Sequence, residues 1–295
     1  MNQTVARKLD APVLVEGEFA FTAEDFAQIA SLLYEQAGIT LSASKTTLVY
    51  SRLAKRLRAL GLATFSEYCA LVASPRGIDE RAAMLNALTT NVTRFFREPH
   101  HFDHLREKVL APRIAAVKAG RARMRLWSAG CSTGQEPYSI AITLLSLLPD
   151  APNLDVKILA TDIDTRVLAT GREAIYSDEL ISAIPPEART RWLERDARGG
   201  GDWRVGAAAR SLVSFKELNL IGPWPVKGPF DAIFCRNVVI YFDEPTQERI
   251  WGRFAPLLGA EGRLYIGHSE RVGGAQAKFV SDGLTVYRQA DGARP

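Results

Sequence analysis

The run Arg125-Leu126-Trp127-Ser128-Ala129-Gly130-Cys131-Ser132-Thr133-Gly134-Gln135-Glu136-Pro137-Tyr138-Ser139 carries the densest chemistry in this sequence. An apolar segment enters a tight turn with two glycines, and the turn opens an apolar helix from Tyr138 to Leu148. Glycines permit the bend and the close approach of a ligand, and the first N–H groups of the helix are free to bind it. A second apolar segment, Val156 to Thr161, ends in Asp162. An acid at that strand end is placed to accept hydrogen bonds from ribose hydroxyls. Together the two features indicate a site for a nucleotide-like cofactor.

A dinucleotide site would show Gly-x-Gly-x-x-Gly, whose middle glycine makes room for a pyrophosphate. Here Cys131-Ser132-Thr133 separates Gly130 from Gly134, and that middle glycine is missing. Glu136 adds a carboxylate at the helix start, where the helix dipole stabilises it but where it would repel a bound phosphate. It could instead attract the sulfonium or ammonium of S-adenosylmethionine. A structural turn followed by an acidic helix start satisfies the same residues, so the loop alone leaves both readings open.

These residues need elements to hold them. Residues 1–20 show no periodicity and read as a loose lead-in, and 21–90 read as helices only. Thr22 with Glu24 and Asp25 starts the first helix, which Gly38 ends; Ser44 can cap a second that runs to Leu60. A long linker helix follows within 91–122, from Pro99 to about Ala119. In 123–295 strands alternate with helices: Arg123 to Ser128, Val156 to Thr161, Leu212 to Glu217, Ala232 to Cys235, Arg263 to Gly267, and Thr285 to Arg288 as an antiparallel return. That alternation predicts a mostly parallel sheet covered by helices on both faces. At about 184–213 the rhythm breaks, and Gly199-Gly200-Gly201 before Trp203 suggests an inserted antiparallel hairpin.

Four segments occur in an order that resembles the chemotaxis protein-glutamate O-methyltransferases. They are Thr90 to Glu98, Ser128 to Ser139, Ala160 to Asp164 and Phe230 to Phe242, within a likeness running from about Phe21 to Tyr287. The resemblance implies a Rossmann-like class I S-adenosylmethionine-dependent methyltransferase domain, a small N-terminal all-helical domain and an inserted antiparallel β subdomain. It implies methylation of glutamates on bacterial chemoreceptors, with S-adenosylmethionine as methyl donor and S-adenosylhomocysteine as product. Methyl transfer to an ionised carboxylate is a direct displacement that needs alignment rather than a general base.

Asp162 and Glu136 keep the roles given above. The resemblance carries Asn91, Thr93 and Arg97 to the methionine end of the cofactor, and Arg97 can also orient the incoming carboxylate in a guanidinium fork. Asn219 and Leu220 follow a strand end and can border the adenine. Arg236 and Asn237 follow the strand Ala232 to Cys235, where the reacting groups meet in such a fold. Tyr241 can shape the transfer pocket or serve as a core aromatic beside Phe242. Arg52, Lys55 and Arg56, flanking the apolar stripe Val49, Leu53, Leu57 and Leu60, are expected to steer a glutamate-rich receptor helix; a solvated basic face is the other reading.

The net charge of +4 permits an acidic partner without choosing one. A nucleic-acid methyltransferase would usually carry an Asn/Asp-Pro-Pro-Tyr turn where this chain reads Arg236-Asn237-Val238-Val239, and aromatics interleaved with basic residues are missing. A non-catalytic cofactor-binding sensor is a further alternative. No metal is expected: His100, His101 and His104 cluster on one helix, but the i, i+4 pair His100 and His104 lacks a third ligand and the His-Glu-x-x-His order, so the cluster reads as a partly exposed helix face, and His268 stands alone. Cys69, Cys131 and Cys235 lack metal-ligand spacing and suit reduced thiols in a cytoplasm. With neither a leader nor an apolar span in view, the expected partners are the cytoplasmic helices of chemoreceptors, with a receptor C-terminal peptide at the β subdomain, and neither nucleic acid nor membrane insertion.

Overall fold

The computed structural model describes residues 12–197, 199–273 and 278–290. The chain divides into two compact units, Met1–Thr89 and Thr90–Pro295.

The first unit is built on four helices: α1 (Ala23–Ala37), α2 (Thr46–Leu60), α3 (Phe65–Ala73) and α4 (Ile78–Leu88). Capping boxes start α1 and α3, through Thr22 with Asp25 and Thr64 with Glu67, and satisfy N–H groups that a helix start leaves unpaired. Ser44 does not cap α2. A short turn, Ala43–Lys45, leads into it, and the Ser44 hydroxyl instead lies 2.7 Å from that of Ser42. Val49, Leu53 and Leu57 are fully buried, but Leu60 is 40% exposed, because the stripe drifts off the core face at the last turn. β1 (Val13–Val15) gives part of the lead-in a regular structure, and the helices-only expectation for 21–90 misses its antiparallel partner β2 (Phe21–Thr22).

In the second unit the strands are β3 (Met124–Ala129), β4 (Val156–Asp162), β5 (Ile175–Tyr176), β6 (Leu193–Arg195), β7 (Trp203–Val205), β8 (Val213–Glu217), β9 (Phe230–Cys235), β10 (Leu258–Ile266), β11 (Phe279–Gly283) and β12 (Val286–Gln289). Seven of them form one sheet in the order β11-β12-β10-β9-β3-β4-β8, parallel from β10 to β8 and antiparallel at β12 and β11. The chain runs outward from β3 through β4 to β8, then returns to β9 on the other side of β3. The carboxyl ends of β3 and β9 therefore flank a topological switch point, where open α/β sheets bind ligands. This is a Rossmann-like fold, and the strands on both sides of the switch point are almost wholly apolar and buried, as strands covered on both faces must be.

Two departures have local causes. The segment from Pro99 to Ala119 is helical, yet it is not one α-helix: His100–His104 passes into a π-helical stretch at Leu105–Leu110, a tight turn at Ala111–Arg113 and a last α-turn at Ile114–Lys118. Pro112 has no N–H to donate to the preceding turn, so the hydrogen-bond pattern must change there. The hairpin β6–β7, whose connection holds Gly199, Gly200 and Gly201 at φ 90°, 94° and 82°, gains a third strand, β5, which pairs antiparallel with β7. Among the described residues no helix is long and apolar enough to cross a membrane.

Candidate functional site

The turn after β3 can be built only with glycines. Gly130 and Gly134 hold φ of 83° and 97°. A Cβ at Gly130 would lie 2.3 Å from Val238 Cγ2, and one at Gly134 would lie 2.8 Å from the Tyr176 hydroxyl and 3.0 Å from Gly171 Cα. Both backbone conformation and space exclude a side chain. The N–H groups of Gly130 and Cys131 donate to the Thr161 carbonyl at 2.8 and 2.9 Å, and the Tyr176 hydroxyl donates to the Thr133 carbonyl at 2.7 Å. The turn is thus fixed to the end of β4, which carries Asp162.

Asp162 Oδ2 accepts the Ser132 N–H at 2.8 Å and Oδ1 accepts the Asp164 N–H at 3.0 Å. Each oxygen has a second lone pair for a ligand hydroxyl. Burial pushes this carboxyl above its ordinary range. Asn91 joins the same cluster: its side-chain amide donates to Asp164 Oδ2 at 2.9 Å and its carbonyl accepts the Ser132 hydroxyl at 2.8 Å.

Glu136 and Arg236 form a buried pair. Glu136 Oε1 accepts the Ser128 hydroxyl at 2.7 Å, and Oε2 meets Arg236 Nη1 at 3.1 Å. Burial raises the Glu136 carboxyl, with Arg236 opposing the rise. The carboxylate that was to face a cationic ligand therefore already has a cationic partner. Arg236 Nη2 reaches Glu98 Oε2 at 3.2 Å and donates to the Arg97 carbonyl. Arg236 is consequently a bracket between two carboxylates and the backbone of Arg97.

Glu270 was not expected from the sequence. Its carboxylate is 2% exposed and accepts four backbone N–H groups: Asn237 at 2.9 Å, Val238 at 2.9 Å, Val239 at 2.9 Å and Gly267 at 2.6 Å. It holds the turn after β9, in which Asn237 adopts φ 59° and leaves its buried Oδ1 without a hydrogen bond. Non-glycine positive φ also occurs at Phe96 (50°), Glu98 (57°) and Ser132 (49°), in the segments that carry the candidate residues, and outside them at Ala174 (57°) and Thr285 (55°). Strain of this kind persists where surrounding contacts over-determine the backbone.

The other expected residues are less connected. The Arg97 guanidinium makes one hydrogen bond among the described residues, to the Val92 carbonyl at 3.3 Å, and keeps most of its donors uncommitted. Thr93 and Tyr241 are half-buried, and neither hydroxyl has a hydrogen bond among the described residues. Asn219 Oδ1 accepts the Ile221 N–H at 3.1 Å, and the Leu220 carbonyl accepts from Trp224 Nε1 and Arg253. The segment is anchored to Asp162 through the Leu218 N–H, which donates to the Asp162 carbonyl at 3.0 Å.

In the helical unit, Arg52 Nη1 donates to the carbonyls of Ala87, Leu88 and Thr89 at 3.3, 2.9 and 2.7 Å, closing the end of α4. Arg56 forms a fork with Glu80 at 2.9 and 2.6 Å. Lys55 is exposed and has no ion pair among the described residues. The expected partly exposed histidine face holds for His100 and His104 but not for His101. His101 is fully buried, and His268 does not stand alone, since its Nδ1 lies 3.1 Å from Glu98 Oε1. Burial drives the His101 ring down to about 3, so it is neutral. For Glu98 the neighbouring Arg236 and His268 outweigh burial and hold the carboxyl below its ordinary range.

Residues 91–288 match the family model described as CheR methyltransferase, SAM binding domain, and residues 24–89 match the one described as CheR methyltransferase, all-alpha domain. The chain is 54% identical over 260 residues to a probable chemotaxis protein methyltransferase of Rhizobium etli, covering 87% of this chain and 96% of that one. It is 45% identical over 285 residues to chemotaxis protein methyltransferase 2 of Pseudomonas aeruginosa, with 95% and 98% covered. Against the chemotaxis protein methyltransferase of Escherichia coli the identity is 44% over 268 residues, with 89% of each covered. A glycine-bounded turn, an acid at the end of β4 and a cofactor-domain match that spans both establish the affiliation: this chain belongs to the CheR methyltransferases, with an S-adenosylmethionine-binding domain and an all-helical domain.

Proposed function

We propose that this protein methylates glutamate side chains on the cytoplasmic helices of chemoreceptors, acting in the cytoplasm and producing glutamyl methyl esters. The observation that carries this reading is the Gly130–Gly134 turn locked against Asp162, in a chain that aligns along most of its length with chemotaxis protein methyltransferases. Asp162 would take the ribose, Asn219 and Leu220 the adenine, and Asn91, Thr93, Arg97, Arg236 and Asn237 the methionine end. When bound, S-adenosylmethionine supplies an electrophilic methyl group. A glutamate carboxylate, already ionised, would take that methyl group directly, so no residue of this chain would need to move a proton. Arg97 aligns the carboxylate and Tyr241 closes the pocket around the methyl group. A receptor C-terminal peptide would dock on the β subdomain at about 184–213.

The test uses radiolabelled methyl donor with receptor membranes. Label released as methanol by mild alkali supports the reading; base-stable label, or label found only on nucleic acid, overturns it.

Asp162→Ala should weaken binding of S-adenosylhomocysteine by at least tenfold, because a hydrogen bond to a charged acceptor is worth ~1.5–3 kcal/mol. Calorimetric titration reads this directly, and unchanged affinity would remove Asp162 from the ribose site.

The steering charge should reside mainly on Lys55, since Arg52 and Arg56 are engaged within their own unit. Surface attraction is screened beyond ~8–10 Å at physiological salt. Lys55→Glu should raise the receptor KM at low salt and lose that effect at high salt, with cofactor affinity unchanged. Arg56→Glu should in addition lower the melting temperature, because it leaves buried Glu80 facing a like charge. Normal receptor kinetics in both variants at every salt concentration would make α2 a solvated face.

A further inference from the structure

We propose that Glu98 Oε2, His100 Nε2 and His101 Nδ1 bind one divalent transition-metal ion of the zinc class. The three atoms lie within 4.8 Å of one another. All three are buried and none makes a hydrogen bond, and Glu98 Oε2 has one ion-pair contact, to Arg236 Nη2 at 3.2 Å. Glu98 stands two residues upstream of His100, on a backbone held at φ 57°, and completes a set that uses His101 rather than His104.

Hydrogen bonding settles which nitrogen of His101 carries the proton. The Thr285 hydroxyl donates to the Leu284 carbonyl at 2.7 Å, so its oxygen accepts from His101 Nε2 at 2.8 Å. The Leu284 carbonyl, which can only accept, lies 3.3 Å from the same nitrogen. Nε2 is therefore the N–H, and Nδ1 presents a lone pair. That lone pair faces Glu98 Oε2 at 3.5 Å, an acceptor against an acceptor. A cation between the two atoms removes the repulsion. Their separation is close to the spacing of two ligands that sit ~2.0–2.2 Å from a tetrahedral ion.

The surroundings fit the same reading. Glu98 Oε1 lies 3.1 Å from His268 Nδ1, which fixes the carboxylate with its other oxygen toward the histidines. Outer contacts of this kind, together with the Leu284 and Thr285 contacts of His101, orient metal ligands and set their tautomers. Arg236 contacts both Glu98 and Glu136, so two carboxylates share one guanidinium. Two imidazoles and one carboxylate suit zinc, cobalt or nickel rather than magnesium or calcium.

The test is independent of methyl transfer. Full-length protein stripped with a chelator is dialysed against Zn²⁺ alone, and bound metal is counted. One ion per chain is expected, together with a zinc-dependent rise in melting temperature, because an ion that binds only the folded chain stabilises it. His100→Gln and Glu98→Gln should each lower zinc affinity by more than ~100-fold, since even outer-shell changes cost ~10–100-fold. His268→Gln should cost about tenfold. His100 is only partly buried, so its variant keeps the test valid if His101 variants do not fold. Failure to hold one ion, parental affinity in both ligand variants, or a thiolate charge-transfer band with Co²⁺ would each overturn the site.

Discussion

Arg97→Ala should lower kcat for receptor methylation by roughly 100-fold or more, while S-adenosylhomocysteine affinity changes by less than about tenfold. A displaced nucleophile costs on the order of 100-fold per ångström of misplacement, which sets the scale. The expectation follows from an asymmetry in how the residue is held. Its backbone is fixed, because its carbonyl accepts from buried Arg236, which is tied in turn to Glu98 and Glu136. Its guanidinium, by contrast, makes a single bond to the Val92 carbonyl among the described residues. A planar fork on a fixed base can pair with an incoming carboxylate and hold it in line with the methyl carbon. Arg97→Lys keeps the charge but not the fork, so it should recover cofactor affinity before it recovers turnover. Rates are to be measured at saturating cofactor, with binding followed separately by calorimetry. Equal losses in binding and turnover would make Arg97 a cofactor anchor only.

What the sequence made legible follows from the range over which its signals act. The turn after β3 was readable because strand, glycines and helix are contiguous, and Asp162 because it ends the next strand. Arg236 and Asn237 were placed after β9 for the same reason, though not the pairing of Arg236 with Glu136, exactly 100 residues away in sequence. Arg52 and Arg56 looked like a free basic face because their partners, the end of α4 and Glu80, are distant in sequence. His268 looked isolated because Glu98 lies 170 residues away. The short pair β1–β2 leaves no pattern in the sequence, because two or three residues are too few to show alternation. Backbone acceptors and donors leave no trace in side-chain spacing at all, so the role of Glu270 is not legible in the sequence.

Glu270→Ala should have the largest effect on stability of any single substitution at this site. It would leave the N–H groups of Asn237, Val238, Val239 and Gly267 without their acceptor. An unsatisfied buried donor costs ~1–3 kcal/mol, so even partial relaxation leaves a loss of several kcal/mol, a large fraction of ordinary domain stability. Water entering the space left by the side chain would recover part of this, so Glu270→Gln is the sharper probe. Glutamine fills the same volume but turns one oxygen into an NH₂ group, a donor aimed at two backbone donors, and it removes the negative charge. Its expected signature is a lowered melting temperature together with weakened cofactor binding, because the turn it holds also carries Asn237. Glu270→Asp keeps the charge on a shorter stem and should fall between the two. The readouts are thermal melts by circular dichroism and calorimetric titration with S-adenosylhomocysteine. If Glu270→Gln melts like the parent and binds S-adenosylhomocysteine normally, the four N–H contacts do not hold the turn, and Asn237 owes its φ of 59° to something else.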